Sequence, residues 1–204
     1  MKSQYSRSSE GRPLSALLLA AVLSAAAATS CKASGSAAVQ PGISPQLMAD
    51  TLHAVLEADR AVYTKQVVQR LQNEDKVIRA SEHWQDDKAL PLPAQMFRMG
   101  SELATRKATG LHYALVSPWA INQQNLPRTD AEKNGLQFVS EHPDQNFYTK
   151  EELGDESYFT AVYPDRATVS ACVDCHNAHK DSPRHDFKLG DVLGGVVIRI
   201  TQPR

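Results

Sequence analysis

Apolar residues recur at three- and four-residue steps after Ser44-Pro45: Met48, Leu52, Val55, Leu56, Val62, Tyr63, Val67 and Leu71. This spacing predicts one amphipathic helix of about seven turns, opened by a serine cap and a proline at the first helical position. Asn73 to Asp87 is polar and reads as a loop, interrupted by His83-Trp84. Leu90-Pro91-Leu92-Pro93 then leads into a second, shorter helix to about Lys107, because proline is accepted before or at a helix start.

Beyond Gly110 the period changes. Leu111 to Ser117 reads as a strand, and the run from Pro118 to Pro127 as a loop rich in proline and asparagine. Thr129 and Glu132 form a capping box for a helix to about Ser140. The acidic stretch around Glu151-Glu152 carries no pattern. Tyr158 to Tyr163 reads as a strand, and Val192 to Ile200 as a β-branched closing strand. A long N-terminal helix and short helices among a few strands predict an α+β domain, with the helices over one face of an antiparallel sheet.

Chemistry concentrates at one place, Cys172-Val173-Asp174-Cys175-His176. Two thiols separated by two residues can reach the two vinyl groups of a porphyrin, and the histidine that follows is placed to ligate its iron. This CxxCH reads as a covalent attachment site for one c-type haem, with Cys172 and Cys175 as thioether anchors and His176 as the proximal ligand. Two other readings compete. Cys172, Cys175, His179 and His185 have a spacing that could close a zinc site, and the cysteine pair could be a bare disulfide or redox dithiol.

The N-terminus bears on that choice. Lys2, Arg7 and Arg12 precede a short run of leucine, alanine, valine and serine from Leu14 to Ala28, followed by Thr29-Ser30-Cys31. The pattern is an export signal over residues 1–30, too short and alanine-rich for a membrane span. The small residues before Cys31 resemble a lipobox, with Ala28 where leucine is usual, so Cys31 is a candidate lipidation site. Residues 31–43 are rich in serine, alanine and glycine and read as a tether, and residues 44–204 as the domain. Export places the remaining cysteines in an oxidising compartment, where haem attachment gains on zinc. The expected location is the periplasmic side of a bacterial membrane, with Lys32 after the cysteine favouring the outer membrane and a soluble periplasmic form as the alternative.

Composition adds exclusions. With 22 basic and 23 acidic residues and 42% hydrophobic residues among 204, the chain suits one globular domain and offers no nucleic-acid-binding excess. No nucleophile–base pair or paired-carboxylate motif supports catalysis, so a non-catalytic role is expected, with peroxidase-like activity left open.

The runs AVYTKQVV, LPLPAQMF, SPWAINQQNLP and CVDCHNAHKDSPRHDFKLGDVLGGVVI resemble the Tll0287-like (DUF3365) domain family over about Ser44 to Ile200. The resemblance implies a PAS-like fold carrying one covalent haem, either stand-alone and exported or as the sensor part of membrane-bound kinases and cyclases. It also implies a second axial ligand on a helix before the SPWAINQQNLP loop, a cysteine in some members. Here that helix carries Met96 and Met99. Methionine is a common core filler and also a recognised haem ligand; Met96 is the first candidate, Met99 the second, with His83, His112 or no protein ligand behind them. His53 reads as a packing residue, and Trp84 as a core plug or a haem wall. Lys180, Arg184 and Lys188 either offset haem propionates or form a solvated loop, Phe187 is placed to cover a ring edge, and His179 to meet a propionate or water.

Two roles follow. One is a single-electron carrier working with a periplasmic or membrane redox partner. The other is a haem-based redox or gas sensor acting through a separate partner, which is the less favoured because no output domain is seen before Arg204. A zinc-stabilised binding lipoprotein is the third.

Overall fold

A computed structural model describes residues 42–203, so the export signal, most of the tether and Cys31 lie outside the described residues. Helix α1 spans Pro45–Val62, and Ser44 caps it by accepting from the Leu47 amide at 3.1 Å. The helical path continues through Tyr63–Glu74 with π winding. At the junction Thr64 Oγ1 donates to the Arg60 carbonyl over 2.7 Å, and this back-bonding competes with regular α-helical turns. The expected single helix is therefore present, but its second half is wound differently.

Two short strands pair in parallel, β1 (Ala80–Ser81) within the expected loop and β2 (Leu90–Pro91) in the segment leading into the second helix. Helix α2 covers Pro93–Lys107, with the Leu92 amide donating to Gln95 Oε1 at 2.9 Å. Strand β3 (Leu111–Val116) leads through the asparagine loop to α3 (Asp130–Glu141), whose capping box between Thr129 and Glu132 is formed as read. Strands β4 (Phe147–Leu153) and β5 (Glu156–Arg166) make a hairpin. Gly154 has φ +62° at the first turn position, the pattern of a type II′ turn, which only glycine fills easily. Helix α4 (Ser170–Ala178) and strand β6 (Val192–Gln202) complete the chain.

The sheet is antiparallel throughout, in the order β3-β6-β5-β4. The final strand thus lies between β3 and β5, so Val192 to Ile198 are all buried, which explains their unbroken apolar run. The α+β antiparallel architecture agrees with the sequence reading. One detail does not: the helices occupy both faces. Ala161, Tyr163, Val196 and Ile198 point to α1 and α2, packing with Ala49 and Phe97, whereas Val162 and Val197 point to α3 and pack with Leu136 and Val139. The two-residue alternation of β5 and β6 makes each face apolar, so each needs a cover.

On the α3 face a buried ion network joins helix and sheet. Arg199 of β6 donates to Glu132 Oε1 at 2.9 Å and to Glu151 Oε2 at 2.7 Å, and Thr160 donates to the same Glu151 oxygen at 2.8 Å. Among the described residues no helix is long and apolar enough to cross a membrane.

Candidate functional site

The Cys172-x-x-Cys175-His176 run lies on α4, directly after β5. Helical spacing puts residues three and four apart on one face, so both thiols and the imidazole project from the same side. Both cysteines are free. Cys172 is half-buried against Ala167, Phe187 and Leu193, and Cys175 is exposed. Burial pushes both thiols above their ordinary pKa, so they stay protonated rather than reactive as thiolates. Burial pushes His176 below its ordinary value, with Asp165 opposing, which keeps the imidazole in the neutral form that binds metals.

His176 Nδ1 is buried with no hydrogen-bond partner among the described residues. Such an orphan is rare because it forfeits solvation without return, at a cost of about 1–3 kcal/mol. Its ring stands perpendicular to Phe187, with centroids 5.8 Å apart, and Phe187 stands edge-on to Trp119 at 5.7 Å. The histidine is thus seated in an aromatic pocket with a polar atom left over.

The loop after α4 carries the cations that the sequence reading gave either to haem propionates or to a solvated loop. Arg184 lies 4.9 Å over Trp119 and 4.3 Å over Phe187, and its guanidinium meets Asp186 at 2.6 Å and Asp191 at 3.6 Å. Lys180 pairs with Asp181 at 2.5 Å. These cations already have carboxylate partners. Phe187 is 3% exposed and closes the pocket behind His176. Gly190 and Asp191 shape the turn into β6: Gly190 has φ +91°, and Asp191 Oδ2 accepts from the Lys188 amide at 2.9 Å.

The zinc reading fails on geometry. His179 Nδ1 accepts from the Asp181 amide at 3.1 Å and its Nε2 lies 3.6 Å from Glu82, while His185 Nδ1 meets the Asn177 carbonyl at 2.9 Å. Among the described residues no group of three or more His, Cys, Asp or Glu is gathered to hold a metal ion.

Residues the sequence reading passed over border the motif. Arg60 of α1 is ion-paired with Asp165 of β5, its guanidinium lies 5.8 Å over Phe97, and both charges act on Cys172. Their signal was weak, because one arginine in an amphipathic helix looks solvent-facing. His53 stacks on Tyr163 at 3.9 Å with the rings 7° from parallel, is lowered in pKa by burial, and makes no hydrogen bond among the described residues. Tyr163 is pushed well above the usual phenol range by burial and by its 2.8 Å hydrogen bond to Asp50.

The candidate axial residues are placed as follows. Met96 and Met99 are half-buried on α2, on either side of buried Phe97, and neither belongs to the three apolar clusters of the described residues. Trp84 is likewise half-buried outside those clusters. His83 is exposed, 3.6 Å from Glu82. His112 is exposed on β3 between Leu111 and Tyr113, which pack on the α1 side, so it points to the opposite sheet face from Asp165 and Tyr163.

Fold and motif together define an α+β domain whose antiparallel sheet presents a Cys-x-x-Cys-His helix at the end of a central strand. The family model described as Tll0287-like matches residues 27–201, and the chain belongs to this family. Among solved structures it is similar to the crystal structure of the cyanobacterial haem protein Tll0287, with a TM-score of 0.51 and 15% identity over 79% of this chain and 98% of that one. At that identity the likeness concerns the fold. No curated protein matches.

Proposed function

We propose that the protein is an exported monohaem c-type cytochrome that transfers single electrons. The observation that carries this reading is the shared face of Cys172, Cys175 and His176 on α4, with two free thiols beside a neutral imidazole. The solved relative, described as a haem protein, supports the same cofactor.

In this reading Cys172 and Cys175 hold the haem by thioether bonds and His176 ligates the iron. Bound haem supplies a one-electron couple whose potential depends on its axial ligands and their surroundings. Phe187 and Trp119 keep water from the back of His176, and the Arg60–Asp165 pair sets the charge beside Cys172. Met96, with Met99 next, would be the further residue of this chain to hold the iron, supplying a thioether donor. Gln95, adjacent to Met96, donates to the Glu82 carbonyl at 2.7 Å, and the Glu82 carboxylate lies 3.6 Å from His179, so the first turn of α2 is tethered near the end of α4.

Delivery to the periplasmic side of a bacterial membrane, with Cys31 as lipid anchor and the outer membrane preferred, completes the proposal. The partner is a periplasmic or membrane redox protein. A sensor acting through such a partner is the second reading, favoured by the unsupported Nδ1 of His176, since a proximal histidine without a hydrogen-bonded partner is a weaker donor and easier to displace.

The test is an optical spectrum, oxidised and reduced, of protein exported in a cell with c-haem maturation machinery, followed by carbon monoxide. A haem-c spectrum indifferent to carbon monoxide, with the near-infrared band of methionine-ligated ferric iron, supports the carrier. A carbon monoxide shift selects the sensor, and absence of covalent haem overturns both.

A further inference from the structure

The residue after the proposed iron ligand is tied into the structure at three points. Asn177 Nδ2 donates to the Phe187 carbonyl at 2.9 Å, and Asn177 Oδ1 accepts from the Phe187 amide at 2.9 Å. A carboxamide answering both backbone groups of one residue imitates a strand neighbour and fixes that residue from both sides. The Asn177 carbonyl also lies 2.9 Å from His185 Nδ1. The segment His185 to Phe187 is therefore anchored to the helix at the position next to His176.

What this anchoring fixes is the Phe187 ring. It is buried, perpendicular to the His176 ring at 5.8 Å and to the Trp119 ring at 5.7 Å, and covered by the Arg184 guanidinium at 4.3 Å. A metal-ligating histidine is ordinarily oriented by a hydrogen bond from its other nitrogen. Among the described residues nothing gives His176 that bond, since its Nδ1 is buried without a partner there. The orientation of its ring falls instead to the wall it packs against.

We propose that Asn177, acting through Phe187, sets the plane of the His176 imidazole, so that Asn177 is the positioning residue of the proximal side. The link to iron rests on the haem reading above; the clamp itself does not. Packing in place of a hydrogen bond fixes the ring's angle without raising its basicity. Loss of the clamp therefore alters the orientation of the ligand rather than its identity.

The test uses the full chain in two states. In haem-loaded protein, Asn177→Ala keeps covalent haem and far-ultraviolet circular dichroism but shifts the low-spin resonance signature of the iron and the midpoint potential. Asn177→Asp, which retains the acceptor for the Phe187 amide, recovers part of both. In unloaded full-length protein, the His176 ring protons carry a ring-current shift from Phe187, and Asn177→Ala moves them towards the values of an exposed histidine. Should Asn177→Ala fail to fold, Phe187→Leu removes the ring while leaving Asn177 intact and is expected to move the same signals. Resonances and potential unchanged from wild type in the folded variant overturn the proposal. If wild type takes up no haem, the haem reading fails, while the ring-proton shifts still decide the clamp.

Discussion

Arg199 Nε donates to Glu151 Oε2 at 2.7 Å inside the domain, where the two side chains are 12% and 6% exposed. Arg199 also holds Glu132, whose other carboxylate oxygen accepts from the amides of Arg128 and Thr129 at the start of α3. One guanidinium thus joins the capping box of α3 to strands β4 and β6. Removing it strands two buried carboxylates. Arg199→Met is expected to destabilise the domain by about 3–5 kcal/mol, measured by chemical denaturation, whereas replacing Arg199, Glu132 and Glu151 together by apolar residues of similar volume costs far less.

The same network sets a pH dependence. Burial pushes Glu151 up, but hydrogen bonds from Arg199 and Thr160 outweigh this and hold it below its ordinary value of 4.5. A carboxylate with a depressed folded pKa binds fewer protons folded than unfolded, so its stabilisation is complete above 4.5 and is lost as pH falls through the folded value. Denaturation midpoints from pH 7 downwards should fall below this point in wild type, and fall less steeply in Glu151→Gln.

Gly135 of α3 faces Val162 of β5, where an added Cβ would stand 2.5 Å from Val162 Cγ2. Alanine at an exposed helical glycine gains about 1 kcal/mol of propensity, but overpacking costs about 1–3 kcal/mol. The neighbour is a buried, β-branched side chain with little freedom to move, so the clash dominates. Gly135→Ala is expected to lower the melting temperature; a rise would show that α3 can shift off the sheet.

Met96→Ala in haem-loaded protein is expected to open the iron to carbon monoxide and abolish the near-infrared band, with Met99→Ala leaving both largely intact. If both variants bind carbon monoxide as wild type does, His53, half-buried and without a hydrogen bond among the described residues, becomes the next residue to replace.

Cys172→Ala or Cys175→Ala should weaken or abolish haem staining on a denaturing gel, since each removes one thioether anchor. Labelled fatty acid should be retained by wild type and lost by Cys31→Ser.

The elements legible in the sequence were those whose pattern is local. Ser44-Pro45, Pro93 and the Thr129–Glu132 box mark helix starts locally, β6 announces itself by a β-branched run, and β3 and β5 by short apolar and aromatic stretches. Strand β4 was missed because its residues are mostly polar. It lies at the sheet edge, and the charge of its buried Glu151 is met by Arg199, 48 residues away in sequence. The CxxCH motif was legible because its spacing is a local property of the chain. Its surroundings were not: Arg60 and Asp165 are separated by 105 positions, and Asn177 reaches Phe187 across a loop.

By itself the sequence determined the α+β class, the CxxCH motif and the family resemblance, because period, caps and ligand spacing are short-range properties of the chain; that the motif lies on a helix was decided by the structure. Tertiary structure decided that α3 covers the second face of the sheet and that β6 runs between β3 and β5. It also decided that no zinc site is gathered among the described residues and that His176 rests on Phe187. Each of these depends on which distant segments meet, and that is settled by the burial of both sheet faces at once rather than by any local preference.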